Sequence, residues 1–207
     1  GLQALVAFTW SRAIDQGSEQ SLHGGSYNWY PQYSYDLSAE RGVASFDQTR
    51  RLVTSWVYEL PFGKGKAIGN SGGPLHYIIG GWQANGILTL SDGSPFNVSC
   101  LTCGDRSQIG FYPGSPYGAG LRPNVNGNPL PSGFQRSYFN WFDASVFSLP
   151  ELGTLGTSPR NPLRTPGQRA LDFSMVKNNR IKERYNLQFR AEFFNAFSGH
   201  FYSMVYP

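Results

Sequence analysis

Five stretches of this sequence alternate apolar and polar residues with a period of two, and that pattern constrains the fold more than any other feature. Residues 2–11 set Leu2, Ala4, Val6, Phe8 and Trp10 against Gln3, Leu5, Ala7, Thr9 and Ser11. Residues 50–60 set Leu52, Thr54, Trp56, Tyr58 and Leu60 against Arg51, Val53, Ser55, Val57 and Glu59. In 82–91, Trp82, Ala84, Gly86, Leu88 and Leu90 oppose Gln83, Asn85, Ile87, Thr89 and Ser91. Leu171, Phe173 and Met175 oppose Asp172 and Ser174; Tyr185, Leu187, Phe189, Ala191 and Phe193 oppose Asn186, Gln188, Arg190 and Glu192. Successive strand side chains point to opposite faces, so each stretch reads as a strand with one greasy and one polar face. The polar run Lys177–Arg184 joins the last two as a hairpin. The expected strands are 2–13, 49–60, 77–91, 169–177 and 184–197.

Two all-β architectures fit amphipathic strands. In a soluble sandwich the apolar face packs on a second sheet and the polar face meets water. In a membrane barrel the apolar face meets lipid and the polar face lines the lumen. Three details favour the barrel. The strands run near ten residues, the length a tilted strand needs to cross a bilayer. Trp10, Tyr58, Trp82 and Tyr185 stand near strand ends, as aromatic girdles require. The polar faces carry Gln, Asn, Ser, Thr and paired Arg and Glu more than Lys. Connection lengths agree. Residues 61–76 and 177–184 are comparatively short, whereas 14–48 and 92–168 are long, polar and rich in Gly, Pro, Ser, Tyr and Asn. Alternating strand directions place both long connections at one end, the pattern of short periplasmic turns and long extracellular loops. The fold class expected is therefore all-β, antiparallel, with residues 1–207 forming part of an outer-membrane β-barrel.

Composition supports this and excludes other classes. Charged residues are 14% of the chain against roughly 25% in typical soluble domains. No apolar run reaches the ~18 residues of a transmembrane helix. Gly1–Trp10 has neither the basic start nor the cleavage site of a secretory signal. The net charge of +4 comes from scattered bases rather than a basic stripe, which argues against nucleic acid as a partner.

Several segments resemble the Oar-like TonB-dependent transporters of acidobacterial type. They are Phe8–Asp15, Ala39–Asp47 running into Thr49–Val53, Tyr58–Lys66, Gly80–Gly86, Ser91–Phe96, Arg122–Asn124, Arg160–Arg164 with Pro166-Gly167, and Leu187–Phe197. They occur in the family's order and span nearly the whole chain. The resemblance implies the C-terminal part of a wide barrel, about 22 strands in this class. It implies import of a small ligand such as a siderophore, oligosaccharide or peptide. The energy would come from an inner-membrane complex acting through an N-terminal plug that has no counterpart in this sequence. A fragment of this kind is expected to extend in both directions, and the lipid bilayer is its first partner.

Chemistry-bearing motifs are sparse. Ser174-Met-Val-Lys177 matches SxxK, but that motif works at a helix start, and in a strand its two ends point to opposite faces. No GxSxG elbow exists. His23, His76 and His200 are scattered, with no metal-ligand spacing, so no metal or cofactor is expected. Carboxylate pairs such as Asp143 with Glu151 or Asp172 with Glu192 remain open as hydrolytic acids, their separation being set by the fold. The competing reading of Asp172, Arg190 and Glu192 is an ion-pair ladder facing the lumen beside Gln188. Cys100 and Cys103, flanked by Gly, Asp and Ser, read as a small loop disulfide rather than a redox motif, which would open a helix. Aromatics crowd both long loops. Trp29, Tyr30, Tyr33, Tyr112, Tyr117 and Trp141 are the candidate ligand contacts, since planar rings beside amides suit sugar or peptide capture. Two further functions stay open: a soluble all-β hydrolase acting on a polysaccharide or ester, and a carbohydrate-binding module.

Overall fold

The computed structural model describes residues 1–17, 31–33, 35–63, 65–69, 76–98, 105–108, 121–181, 185–197 and 199. In chain order the strands begin with β1 (Leu2–Trp10), β2 (Ile14–Asp15), β3 (Gly42–Val43), β4 (Arg50–Glu59) and β5 (Trp82–Ser91). They continue with β6 (Pro95–Phe96), β7 (Asn124–Val125), β8 (Phe147–Ser148) and β9 (Leu163–Arg164), then β10 (Gln168–Ile181) and β11 (Tyr185–Phe193). One helical turn, α1 (His76–Ile79), precedes β5. The chain divides into two units, one built on the long strands and one on the long loops.

The long strands form one antiparallel sheet in the order β1-β4-β5-β10-β11. A one-residue slip would move a strand's apolar set to the opposite face, so register is the decisive observation. Ala4, Trp56, Gly86, Phe173 and Phe193 stand in one cross-strand row, and Leu2, Tyr58, Ala84, Met175 and Ala191 in another. The five greasy stripes read from the sequence thus merge into a single face. Gln3, Val57, Asn85, Ser174 and Glu192 form a row of the opposite face. The sheet is not closed into a barrel; β1 and β11 are its edges.

The apolar face is not covered. Phe8 is 63% exposed, Trp10 77% and Phe189 59%, and Leu2, Val6, Tyr185 and Leu187 are similarly open. A soluble sandwich buries such side chains, each worth roughly 1.5–3 kcal/mol when fully removed from water. Trp10 sits at the end of the sheet where the long loops leave, and Tyr58, Trp82 and Tyr185 sit at the other. Cations interrupt this face at its ends, with Arg50 opposite Trp10 and Arg169 opposite Leu90 at one end and Lys177 towards the other. Lys177 stands opposite Trp82, and its Nζ donates to the carbonyls of Ile78 (2.9 Å) and Gly80 (2.7 Å) while lying 5.1 Å from the Trp82 ring centroid. Its charge is thereby spent on the turn and not presented outward.

Strand ends differ from the periodicity. The strand expected over 77–91 starts at Trp82, because the helical turn and Gly81 (φ +74°) come first. A Cβ on Gly81 would lie 2.2 Å from the Asn178 carbonyl oxygen, so the chain there has room only for glycine. The strand expected to stop at 177 runs on to Ile181, its polar residues continuing the ladder with β11. The last strand ends at Phe193 rather than 197, where Asn195 takes a left-handed φ of 49° and its amide turns to the Asp172 carboxylate. The first ends at Trp10 rather than 13.

The second unit holds residues 11–49 and 92–167, the long polar connections. They are not plain loops. Two-residue ladders form within them, β2-β3 in the first connection and β6-β9 and β7-β8 in the second. Ala44, Phe142 and Leu163 are buried, and the Phe142 ring meets Phe96 at 6.2 Å and Phe147 edge-on at 5.8 Å. Most of this core is nonetheless polar: Gln32, Glu40, Asp47, Arg122, Ser158, Arg160 and Asn161 are all buried.

Candidate functional site

Buried charge must be paired, and the loop unit pairs it in one direction. In three ion pairs among the described residues the carboxylate comes from the first loop and the guanidinium from the second. Arg122 Nη1 lies 2.7 Å from Glu40 Oε2, with both side chains almost wholly buried. Arg160 pairs with Asp15, and Arg164 with Asp47. Side-chain amides complete the first site. Gln32 donates its backbone N–H to Glu40 Oε1 (2.9 Å) and its Nε2 to the Gly156 carbonyl, and its Oε1 accepts the Arg122 amide (2.8 Å). Arg122 Nε also donates to the Ser158 carbonyl (2.8 Å). At the third, Asp47 accepts the Ala13 amide (2.6 Å) and the Thr49 hydroxyl (2.8 Å). Burial pushes the Asp47 carboxyl up, but the Ala13 amide, Arg164 and Thr49 together outweigh it and hold the group below its ordinary value. Burial pushes the Arg160 guanidinium down.

These pairs were not legible as pairs. Each partner lies in a segment that carries the family resemblance, yet the contacts span 82, 117 and 145 residues. No local periodicity encodes a contact at that separation.

Of the candidate ligand contacts, Trp29, Tyr30, Tyr112 and Tyr117 lie outside the described residues, as do Cys100 and Cys103. Tyr33 is partly exposed and stands 5.6 Å from Tyr35, ring to ring, with Tyr35 almost fully open. Trp141 is half-buried; its Nε1 donates to the Arg164 carbonyl (2.7 Å) and Arg136 lies over its ring at 5.2 Å. Trp141 is thus held beside the Arg164–Asp47 pair.

On the sheet, Gln188, Arg190 and Glu192 share the polar face and are exposed. Gln188 Nε2 donates to Asn178 Oδ1 (2.8 Å), and Arg190 Nη1 lies 3.4 Å from Glu192 Oε1. Asp172 is also on this face, where its carboxylate accepts the backbone amide of Asn195 (3.0 Å). Asn85 donates to Ser174 Oγ (3.2 Å) and accepts from Gln83. Ser174 and Lys177 fall on opposite faces, which removes the SxxK arrangement. Around the middle of this sheet a hollow of about 620 Å³ is lined by residues that include Leu5, Asn85, Ile87, Asp172, Ser174, Glu192 and Phe194. Among the described residues no group of three or more His, Cys, Asp or Glu could hold a metal ion.

An antiparallel sheet with one apolar face, exposed most on its edge strands, a polar opposite face and paired long loops is the local geometry of a membrane-barrel wall. No curated protein and no solved structure matches the chain. The family model of the outer membrane beta barrel domain matches residues 1–203, which supports location in the outer membrane. By this match the chain belongs to the outer membrane beta barrel domain family.

Proposed function

We propose that this chain forms part of the wall and the outward loops of a TonB-dependent transporter that imports a small ligand across the outer membrane. The observation that carries the reading is the division of labour in the chain. The sheet turns a greasy face one way and a hydrogen-bonding face the other, and its long loops fold into a unit with a core of their own. A wall alone needs only short turns. Folded loops at one end are what a selective receptor requires, because binding surfaces are best carried on a fixed scaffold.

In this reading the stripe from Leu2 to Phe193 meets lipid, and Gln188, Arg190 and Glu192 line the water-filled interior. The loop aromatics Trp29, Tyr30, Tyr33, Tyr112, Tyr117 and Trp141 make the first contact with ligand, and an inner-membrane complex supplies energy through a plug. A siderophore, an oligosaccharide and a peptide all fit that description. The test is fractionation of cells expressing the protein as its gene encodes it, with crosslinking to the inner-membrane energy-coupling complex. Sedimentation with the outer membrane, detergent-dependent extraction and a specific crosslink are expected. Recovery as a soluble monomer without detergent would overturn the proposal and favour a hydrolase or a sugar-binding module.

A further inference from the structure

We propose that the helical turn α1 is a membrane-interface anchor, docked on the lipid side of the wall and presenting Ile78 to the phospholipid leaflet at the end opposite the long loops. The proposal rests on the reading of the apolar face as lipid-facing, and carries that face from the strands onto the connection before β5.

The docking geometry is set by two side chains of the apolar face. Trp82 and Lys177 are cross-strand partners, and Phe189, 59% exposed, completes their row. Trp82 Nε1 donates to the Ile78 carbonyl at 3.0 Å. Lys177 Nζ donates to the same carbonyl at 2.9 Å and to the Gly80 carbonyl at 2.7 Å. Both donors leave the sheet on its apolar side, so the carbonyls they hold lie on that side too. Gly81 permits the fold-back, with a left-handed φ of +74° and no room for a Cβ against the Asn178 carbonyl. The turn is thereby laid against the face and does not run off the strand end.

The surroundings of the turn point to lipid as what meets it. The last carbonyls of a helix have no partner within it, and in water the solvent supplies one. Lipid cannot, so a turn at membrane depth needs donors from the protein. Lys177 and Trp82 are those donors, and the same bonds leave the ammonium-bearing side chain buried although its row faces outward. Tyr58 stands one row nearer the long loops than Trp82 and Tyr185 two rows beyond it, both exposed, so α1 lies at the level of an aromatic girdle. Charge follows the same division. Residues 67–81 contain no Asp, Glu, Lys or Arg, whereas 178–184, in the other turn at this end, holds Arg180, Lys182, Glu183 and Arg184. A connection in water is free to carry charge; one pressed against acyl chains is not. Ile79 packs within the connection, its Cδ1 lying 2.7 Å from where a Cβ on Gly69 would stand. Ile78, 66% exposed, is the side chain left for the acyl boundary.

The experiment is depth-dependent fluorescence quenching of the complete protein in phosphatidylcholine vesicles, with a nitroxide placed on the acyl chain either near the headgroup or near the chain end. An environment-sensitive dye is attached at Ile78→Cys, Phe189→Cys or Gln188→Cys, each in a Cys100→Ser, Cys103→Ser background. The shallow nitroxide should quench the dye at Ile78 at least about twofold more than the deep one, as the headgroup–acyl boundary requires, and Gln188 should be quenched by neither. Lys177→Met and Trp82→Phe each remove donors to the turn; Trp82→Phe keeps an aromatic ring and so the fold, which heat-modifiable migration on a gel checks. Both should lower quenching at Ile78 by about half or more while that at Phe189 holds. Strong quenching at Phe189 with none at Ile78 would overturn the anchor and leave the lipid-facing wall standing. A blue-shifted but unquenched dye at Ile78 would mean a protein cover and would overturn it equally. An Ile78 signal unchanged in both donor variants would overturn the docking by Lys177 and Trp82. No quenching at Phe189 would instead sink the lipid-facing reading itself.

Discussion

Arg122 and Glu40 meet at 2.7 Å in the interior of the loop unit although 82 residues separate them. Among the described residues the pair is one of three in which a carboxylate of the first loop receives a guanidinium of the second. Two connections that the chain sequence presents as separate are therefore one folded body.

Breaking this pair should be costly in a specific way. Glu40→Ala leaves a buried guanidinium without its counter-charge, a loss of about 3–5 kcal/mol, and Arg122→Ala leaves the converse. The double variant should lose much less than the sum of the two. Thermal unfolding or proteolysis of the loops in the solubilised protein reads this. Additive losses would mean that the two groups stabilise the unit independently.

Acid should loosen the same body. The folded-state value of Asp47 is depressed, so its contribution is fully present above the ordinary aspartate value, near 4, and disappears as pH falls through the lower folded value. Loop protection against protease should decline on that acid limb. Asp47→Asn should start less stable at neutral pH and show a flatter limb, and an unchanged limb in that variant would remove Asp47 from the account.

On the sheet, Trp56 lies across Gly86, where a Cβ would come within 2.1 Å of the indole Cζ2. Gly86→Ala must push the ring off its neighbour, a displacement of the kind that costs about 1–3 kcal/mol. The same substitution in a Trp56→Ala background should be nearly silent. Equal damage in both backgrounds would place the cause in the backbone.

The two faces can be told apart by one substitution at adjacent positions. Phe189→Arg puts a charge on the apolar face and should impair outer-membrane assembly by about 2–4 kcal/mol if the site is mid-bilayer. Gln188→Arg puts it on the polar face and should be tolerated. Comparable amounts of assembled protein from the two variants would contradict the assignment of faces.

Sequence alone determined which residues share a face, because strand geometry repeats every two residues and the pattern from Leu2 to Trp10 or Tyr185 to Phe193 can be read without knowing any partner. It also placed both long connections at one end, since that needs only the parity of antiparallel strands. Where those strands stop was decided by contacts from elsewhere: the Asn178 carbonyl against Gly81 and the Asp172 carboxylate against the Asn195 amide. The loop core was decided wholly by tertiary structure. Asp15, Glu40 and Asp47 look like ordinary solvated acids in a polar stretch, and only the folded chain brings Arg160, Arg122 and Arg164 to them. Asp172 and Glu192 likewise become neighbours only through the register of two strands. Periodicity is a local property and survives in the sequence; pairing over a hundred residues is set by the free energy of the whole fold and leaves no local trace.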